Sequence, residues 1–154
     1  MKLVLVGTGY VGLVSGSCFA EFGYEVICVD KDEFRISELK KGKCPFFEPG
    51  IEELLSKHRD QTKLLSFTSS LTEAMEGADI IFITVGTPSK RLEEDADLSA
   101  VWNVAKDIAN NIKKYTLVVT KSTVPVGTTQ EIKKIISKIV PKENFDVVSN
   151  PEFL

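Results

Sequence analysis

The chain has 154 residues, 43% hydrophobic and 27% charged, with a formal net charge of −3 and a pI near 5.3. A chain of that size buries about 70% of its unfolded surface in a single core, and its apolar fraction excludes a disordered polypeptide. The mild acidity leaves no electrostatic footprint for nucleic acid or an anionic membrane surface, so neither is an expected partner.

Short apolar runs alternate with amphipathic segments along the whole chain. The runs fall at residues 3–6, 25–29, 64–68, 79–85, 117–120 and 146–149. Several are rich in Val and Ile with no polar alternation, as in strands buried on both faces of a parallel sheet. Helical spacing appears between them. Val11, Val14, Cys18 and Phe22 form a first stripe, Ile51, Leu54 and Leu55 a shorter one. Leu98, Val101, Ala105, Ile108 and Ile112 form another, and Ile132, Ile135, Ile136 and Ile139 the last. Strand–helix alternation predicts an α/β fold, a doubly wound parallel sheet of the Rossmann type with strand order 3-2-1-4-5-6. One domain, residues 1–154, is expected.

Two segments interrupt this cadence. Residues 40–50 form a loop set by two prolines and two glycines, with Pro49 and Gly50 opening the next helix. Residues 87–97 form a polar loop directly after the fourth strand, where open α/β sheets place ligands.

The first strand runs into Gly7-Thr8-Gly9-Tyr10-Val11-Gly12, a G-x-G-x-x-G turn that opens a helix. Gly7 makes the turn, Gly9 admits a pyrophosphate to the backbone, and Gly12 lets helix and sheet approach. The helix N-terminus offers free N–H groups to the anion. A P-loop is excluded, because Leu13 and Val14 stand where Lys and Ser or Thr are required. Asp30 ends the second strand, about 20 residues beyond the turn, where a carboxylate would hold the adenosine ribose hydroxyls of NAD and repel the 2′-phosphate of NADP. The plainer alternative is an Asp that caps the next helix. Lys31 and Arg35 lie nearby, and Arg35 is expected beside the adenine or the ribose edge.

Further along come Glu48-Pro49-Gly50, Val85-Gly86-Thr87-Pro88, Lys121-Ser122-Thr123-Val124-Pro125-Val126-Gly127 and Asn150-Pro151-Glu152-Phe153-Leu154. With the glycine turn, and in that order, these motifs resemble the N-terminal domain of the UDP-glucose/GDP-mannose dehydrogenase family from Met1 to Leu154. The resemblance implies an NAD-dependent oxidoreductase that converts the C6 hydroxyl of a nucleotide sugar, UDP-glucose in the first instance, to a carboxylate with two NAD+. It implies a homo-oligomeric intact enzyme that serves polysaccharide biosynthesis. It places the pyrophosphate at Tyr10 and Val11 and the adenosine end at Asp30 and Arg35. Val85, Thr87 and Pro88 would border the adenosine and ribose, and Ser122 and Thr123 the nicotinamide. Thr123 would hydrogen-bond the water or oxyanion at the reacting carbon, and Glu152 would act as acid/base or water-orienting carboxylate. Phe153 and Leu154 would begin the segment that grips the sugar nucleotide.

Read without the resemblance, Thr123 serves equally as a helix cap, as does Thr128, and Glu152 as a solvated turn residue. The family's nucleophilic cysteine lies in a later domain, so a truncated, inactive cofactor half is expected. Cys18 and Cys28 are expected to be inert core thiols, and Cys44, beside Lys43, a loop thiol open to activation. Three cysteines without metal-ligand spacing and a single histidine predict no metal site and a reducing, cytoplasmic setting. No apolar stretch reaches the roughly 20 residues of a membrane helix. His58 is expected at the surface, and Trp102 and Tyr115 in packing roles. A sister enzyme acting on GDP-mannose or a UDP-N-acetylhexosamine, or an NAD-binding module without chemistry, would share most of these features.

Overall fold

The computed structural model describes residues 1–88 and 96–152. Six parallel strands form one sheet in the order β3-β2-β1-β4-β5-β6. They are β1 (Lys2–Val6), β2 (Glu25–Val29), β3 (Leu65–Thr68), β4 (Ile80–Ile83), β5 (Thr116–Thr120) and β6 (Phe145–Ser149). All six expected runs are strands, and the expected order holds. The fourth is shorter than the sequence suggests, spanning Ile80–Ile83, although the Thr84 N–H still donates to the Val6 carbonyl.

The period-2 alternation of side chains splits the core into two halves. Val4, Val6, Ile81, Ile83 and Val118 face a layer of helices α4 (Leu71–Met75), α5 (Ser99–Asn111) and α6 (Thr128–Ser137). Leu3, Leu5, Val26, Cys28, Phe82 and Val119 face α1 (Tyr10–Glu21), α2 (Glu33–Lys40) and α3 (Ile51–Ser56). Each helix returns the chain to the start of the next strand, so all strand C-termini gather at one edge.

The stripes of α5 and α6 hold at their centres, with Val101, Ala105 and Ile108 buried on one and Ile132 and Ile136 on the other, but Ile139, expected on the last stripe, lies beyond the end of α6 and is exposed. Helix α1 departs from expectation. Its buried face is Gly12, Leu13, Gly16, Ser17 and Ala20, whereas Phe22 is exposed and Val11, Val14 and Cys18 are half-buried. Apart from Leu13, that face is made of small residues, because the helix lies close to the sheet. A Cβ on Gly16 would come within 2.8 Å of Cys28 Sγ. Gly50, at a φ of 83°, caps α3 in the left-handed region, which fits its place in the loop.

His58 corrects another expectation. It sits in a π-turn, Lys57–Gln61, that extends α3, and it is only 2% exposed. Its ring nitrogens reach Glu21 Oε2 and Thr62 Oγ1, so its polar atoms are satisfied inside rather than at the surface. Trp102 packs against the core, whereas Tyr115 is exposed and donates its hydroxyl to Asp146. Among the described residues, no helix is long and apolar enough to cross a membrane.

Candidate functional site

The chain order reverses between β1 and its neighbour β4. At that point the connections leave the sheet in opposite directions and open a crevice beyond the strand ends. A cleft of about 400 Å³ lies there, lined by residues 9–11, 84–87 and 121–123 and by Glu152. The fold thus brings to one cleft Gly9 of the glycine turn and Tyr10, Val11, Val85, Thr87, Ser122, Thr123 and Glu152, which the family resemblance named. Pro88 is exposed and does not line the cleft; its carbonyl accepts the Asp97 N–H. Phe153 and Leu154 lie outside the described residues, as does the acidic run 93–95.

The glycine turn has no spare room except where a ligand would enter. Gly7 adopts a φ of 111°, and a Cβ there would sit 2.8 Å from the Thr84 carbonyl oxygen. A Cβ on Gly12 would approach the Gly7 carbonyl oxygen to 1.9 Å. A Cβ on Gly9 would meet nothing within 4 Å, because Gly9 faces the open cleft. The first turn of α1 has no side-chain cap at Gly9, which leaves its N–H groups for an anion. Thr84, which sequence reading missed, fastens the turn. Its hydroxyl lies 2.9 Å from the carbonyl oxygens of both Val6 and Gly7.

Asp30 stands at the β2 side of the turn, beyond the cleft proper. Its Oδ2 accepts from the Thr8 N–H at 2.9 Å, the Thr8 hydroxyl at 2.7 Å and Arg35 Nη1 at 3.2 Å. Among the described residues, its Oδ1 accepts only from the Asp32 N–H, at 3.1 Å, and so keeps capacity for a ligand hydroxyl. Burial works against the Asp30 carboxylate, but the Thr8 and Asp32 hydrogen bonds and the Arg35 charge outweigh it and hold the pKa below its ordinary value. Asp30 does not cap α2. Asp32 does, accepting from the Arg35 N–H at 2.9 Å.

On the β5 side the hydroxyls knit three loops together. Ser122 Oγ donates to the Val85 carbonyl at 2.7 Å, Thr87 Oγ1 to the Thr123 carbonyl at 3.0 Å, and Thr123 Oγ1 to the Glu152 carbonyl at 3.1 Å. Neither Thr123 nor Thr128 caps α6, whose N-cap is the left-handed Gly127; Thr128 donates instead to the Pro125 carbonyl. Lys121, a second residue that sequence reading missed, places its Nζ 3.3 Å from Glu152 Oε2. That oxygen is buried and has no well-aligned hydrogen-bond donor. Its only sequence signal is position: a lysine directly after a buried strand, at the head of the Ser122-Thr123 turn.

The cysteines take no part. Burial pushes the Cys28 thiol up to about 12. Burial also raises Cys44, and Lys43 does not activate it, because its ammonium pairs with Glu38 at 2.9 Å. Among the described residues, no cluster of His, Cys, Asp or Glu is placed to hold a metal.

A glycine turn at the reversal of strand order, with an acid holding its flank, makes this a dinucleotide-binding domain of the Rossmann class. Residues 1–154 match the NAD binding domain of the UDP-glucose/GDP-mannose dehydrogenase family, and the chain belongs to that family. It is 53% identical over 154 residues to a UDP-glucose 6-dehydrogenase of Rhizobium meliloti, covering 100% of this chain and 35% of that protein. It is 48% identical over 155 residues to the UDP-glucose 6-dehydrogenase TuaD of Bacillus subtilis, covering 99% of this chain and 33% of that protein. Among solved structures, a GDP-mannose dehydrogenase from Pseudomonas aeruginosa superposes with a TM-score of 0.94 at 38% identity, covering 100% of this chain and 36% of that one. The chain spans about a third of the length of the curated relatives it matches.

Proposed function

We propose that this domain is the cofactor-binding part of a nucleotide-sugar 6-dehydrogenase that oxidises UDP-glucose. The observation that carries the reading is the cleft at the β1/β4 reversal, with the open Gly9 on its floor and the spare acceptor of Asp30 on its flank. NAD+ supplies a hydride acceptor when bound. The N-terminus of α1, with the Tyr10 and Val11 backbone, holds the pyrophosphate, and Asp30 and Arg35 hold the adenosine ribose. Val85, Thr87 and, at its outer edge, Pro88 border the cofactor, and Ser122 stiffens that border through Val85. Thr123 Oγ1 donates a hydrogen bond to the Glu152 carbonyl and keeps its lone pairs to accept a hydrogen bond from a water or substrate hydroxyl. Glu152 supplies a carboxylate beside it, and Phe153 and Leu154 begin the sugar-binding segment.

UDP-glucose is favoured as substrate because relatives at 53% and 48% identity carry that activity in their names. The likeness to a GDP-mannose dehydrogenase supports that sugar nucleotide as the second reading. The intact protein would then be a homo-oligomer in the cytoplasm, supplying a uronate for polysaccharide biosynthesis. Saturation-transfer NMR on the NADH-loaded chain tests the reading with UDP-glucose and GDP-mannose in parallel. Saturation of the UDP-glucose protons, stronger than for GDP-mannose, is expected. The reverse preference would assign the second sugar, and failure to load NADH would overturn the cofactor role.

A further inference from the structure

Among the described residues, eleven line the cleft, and of these Lys121 and Glu152 alone are charged. Their side chains are 16% and 28% exposed, and 3.3 Å separates Lys121 Nζ from Glu152 Oε2. Lys121 is held at its root, because its N–H donates to the Ile83 carbonyl at 2.9 Å and ties the end of β5 to β4. Glu152 is held through its own carbonyl by the Thr123 hydroxyl. The two charges are thus fixed opposite each other by backbone anchors on separate loops, at the β5/β6 side of the cleft. Asp30 marks the other side, directly after β2. With adenosine at Asp30 and pyrophosphate at the glycine turn, the nicotinamide half falls on the side of Lys121 and Glu152.

The two redox forms of the dinucleotide share every group except the ring, which is cationic when oxidised and neutral when reduced. A cleft whose one carboxylate is cancelled by one ammonium has little electrostatic reason to prefer either form. We propose that Lys121 is a specificity-determining residue: by neutralising Glu152 it keeps the cleft from retaining the oxidised dinucleotide over the reduced one. The pair would act as a charge balance on the nicotinamide side of the cleft. Among the described residues, the other ionisable groups beside it are the Tyr10 phenol, which feels the Glu152 charge, and Glu48, which accepts the Tyr10 hydroxyl at 2.7 Å on the exposed rim. Neither carries a compensating positive charge. Removing the ammonium therefore leaves a net negative site that favours a cationic ring.

This inference rests on the dinucleotide reading above, and the experiment separates the two. Calorimetry on the 154-residue chain measures Kd for NAD+, NADH and ADP-ribose, which lacks the ring. The variants are Lys121→Met, Lys121→Arg, Glu152→Gln and the double variant Lys121→Met/Glu152→Gln. Lys121→Met is expected to move the NAD+ to NADH affinity ratio about tenfold toward NAD+, the scale of one unit charge acting across several ångströms of partly solvated cleft. Glu152→Gln should move it the opposite way, and Lys121→Arg and the double variant should stay near wild type. ADP-ribose affinity should be the same in all of them. A ratio that stays within twofold in Lys121→Met overturns the proposal. So does an equal loss for all three ligands, which would make Lys121 a phosphate contact or a purely structural residue. Wild-type chain that binds none of the three would overturn the dinucleotide reading and this inference with it.

Discussion

Replacing Asp30 with alanine removes two functions at once, and the structure allows them to be separated. Thr8 is fully buried, and both its N–H and its hydroxyl donate to Asp30 Oδ2. Without the carboxylate, two buried donors lose their acceptor, at about 1–3 kcal/mol for each group left unsatisfied. Allowing for partial relaxation, Asp30→Ala should destabilise the fold by about 2–4 kcal/mol, a fall in Tm of roughly 5–15 °C for a domain of this size. NADH binding should weaken by a further 1–3 kcal/mol, or about 5- to 150-fold, because a charge-assisted hydrogen bond to the ribose is lost. Discrimination against NADPH should fall as well, since the repelling charge has gone. Thr8→Val provides the control. It removes one donor but keeps the carboxylate, so stability should drop by about 1 kcal/mol while NADH affinity stays within about threefold. Thermal unfolding and calorimetry with NADH and NADPH read all of these quantities. An Asp30→Ala chain with wild-type NADH affinity and an unchanged NADH-to-NADPH ratio would refute the role given to Asp30.

Three further outcomes follow from the same geometry. Gly12→Ala should cost about 2–4 kcal/mol of stability in urea unfolding, because its Cβ would collide with the Gly7 carbonyl; Gly9→Ala should leave stability unchanged yet weaken NADH binding at least tenfold, because its methyl enters open cleft. With its thiol pushed up to about 12, Cys28 should react with a disulfide reagent only on unfolding, whereas Cys18 and Cys44 should react in the native chain. Acid should destabilise the fold: Glu21, Asp30, Glu38, Asp60 and Asp79 are all held below their ordinary pKa values, so their stabilising effect is full above the unfolded value near 4 and is lost as pH falls through the folded values. The urea midpoint should therefore drop between pH 7 and pH 3, and the drop should shrink in Asp79→Asn, which no longer gains from the Lys114 hydrogen bond.

The inner strands were legible in the sequence because strands buried on both faces are continuously apolar, as in β1 and β4, while the edge strands β3 and β6, which carry polar and exposed positions, were legible from their place in the strand–helix alternation. The glycine turn was legible for a related reason: Gly7 and Gly12 are forced by backbone contacts under 3 Å, so the chain has no substitute to offer. The inner face of α1 was not legible. Periodicity arguments weigh large apolar side chains, and this helix presents Gly12, Gly16, Ser17 and Ala20 to the sheet, with Leu13 the one large side chain among them, because its axis lies close to the strands. The burial of His58 was hidden because its partners, Glu21 and Thr62, come from the end of α1 and the far side of the π-turn. Thr84 and Lys121 escaped for the same reason. A hydroxyl or an ammonium just past a strand acquires meaning only from the neighbouring loop, and strand order rather than local sequence decides which loop that is.

The central claim is that a dinucleotide binds at the reversal of strand order, and amide chemical-shift mapping with NADH tests it most directly. The account predicts saturable shifts at Gly7 to Gly12, Asp30, Thr84 to Thr87 and Lys121 to Thr123, with residues of the 280 Å³ basic hollow around Lys40, Arg59 and Lys63 unaffected. Shifts confined to that hollow, or none at millimolar NADH, would contradict it.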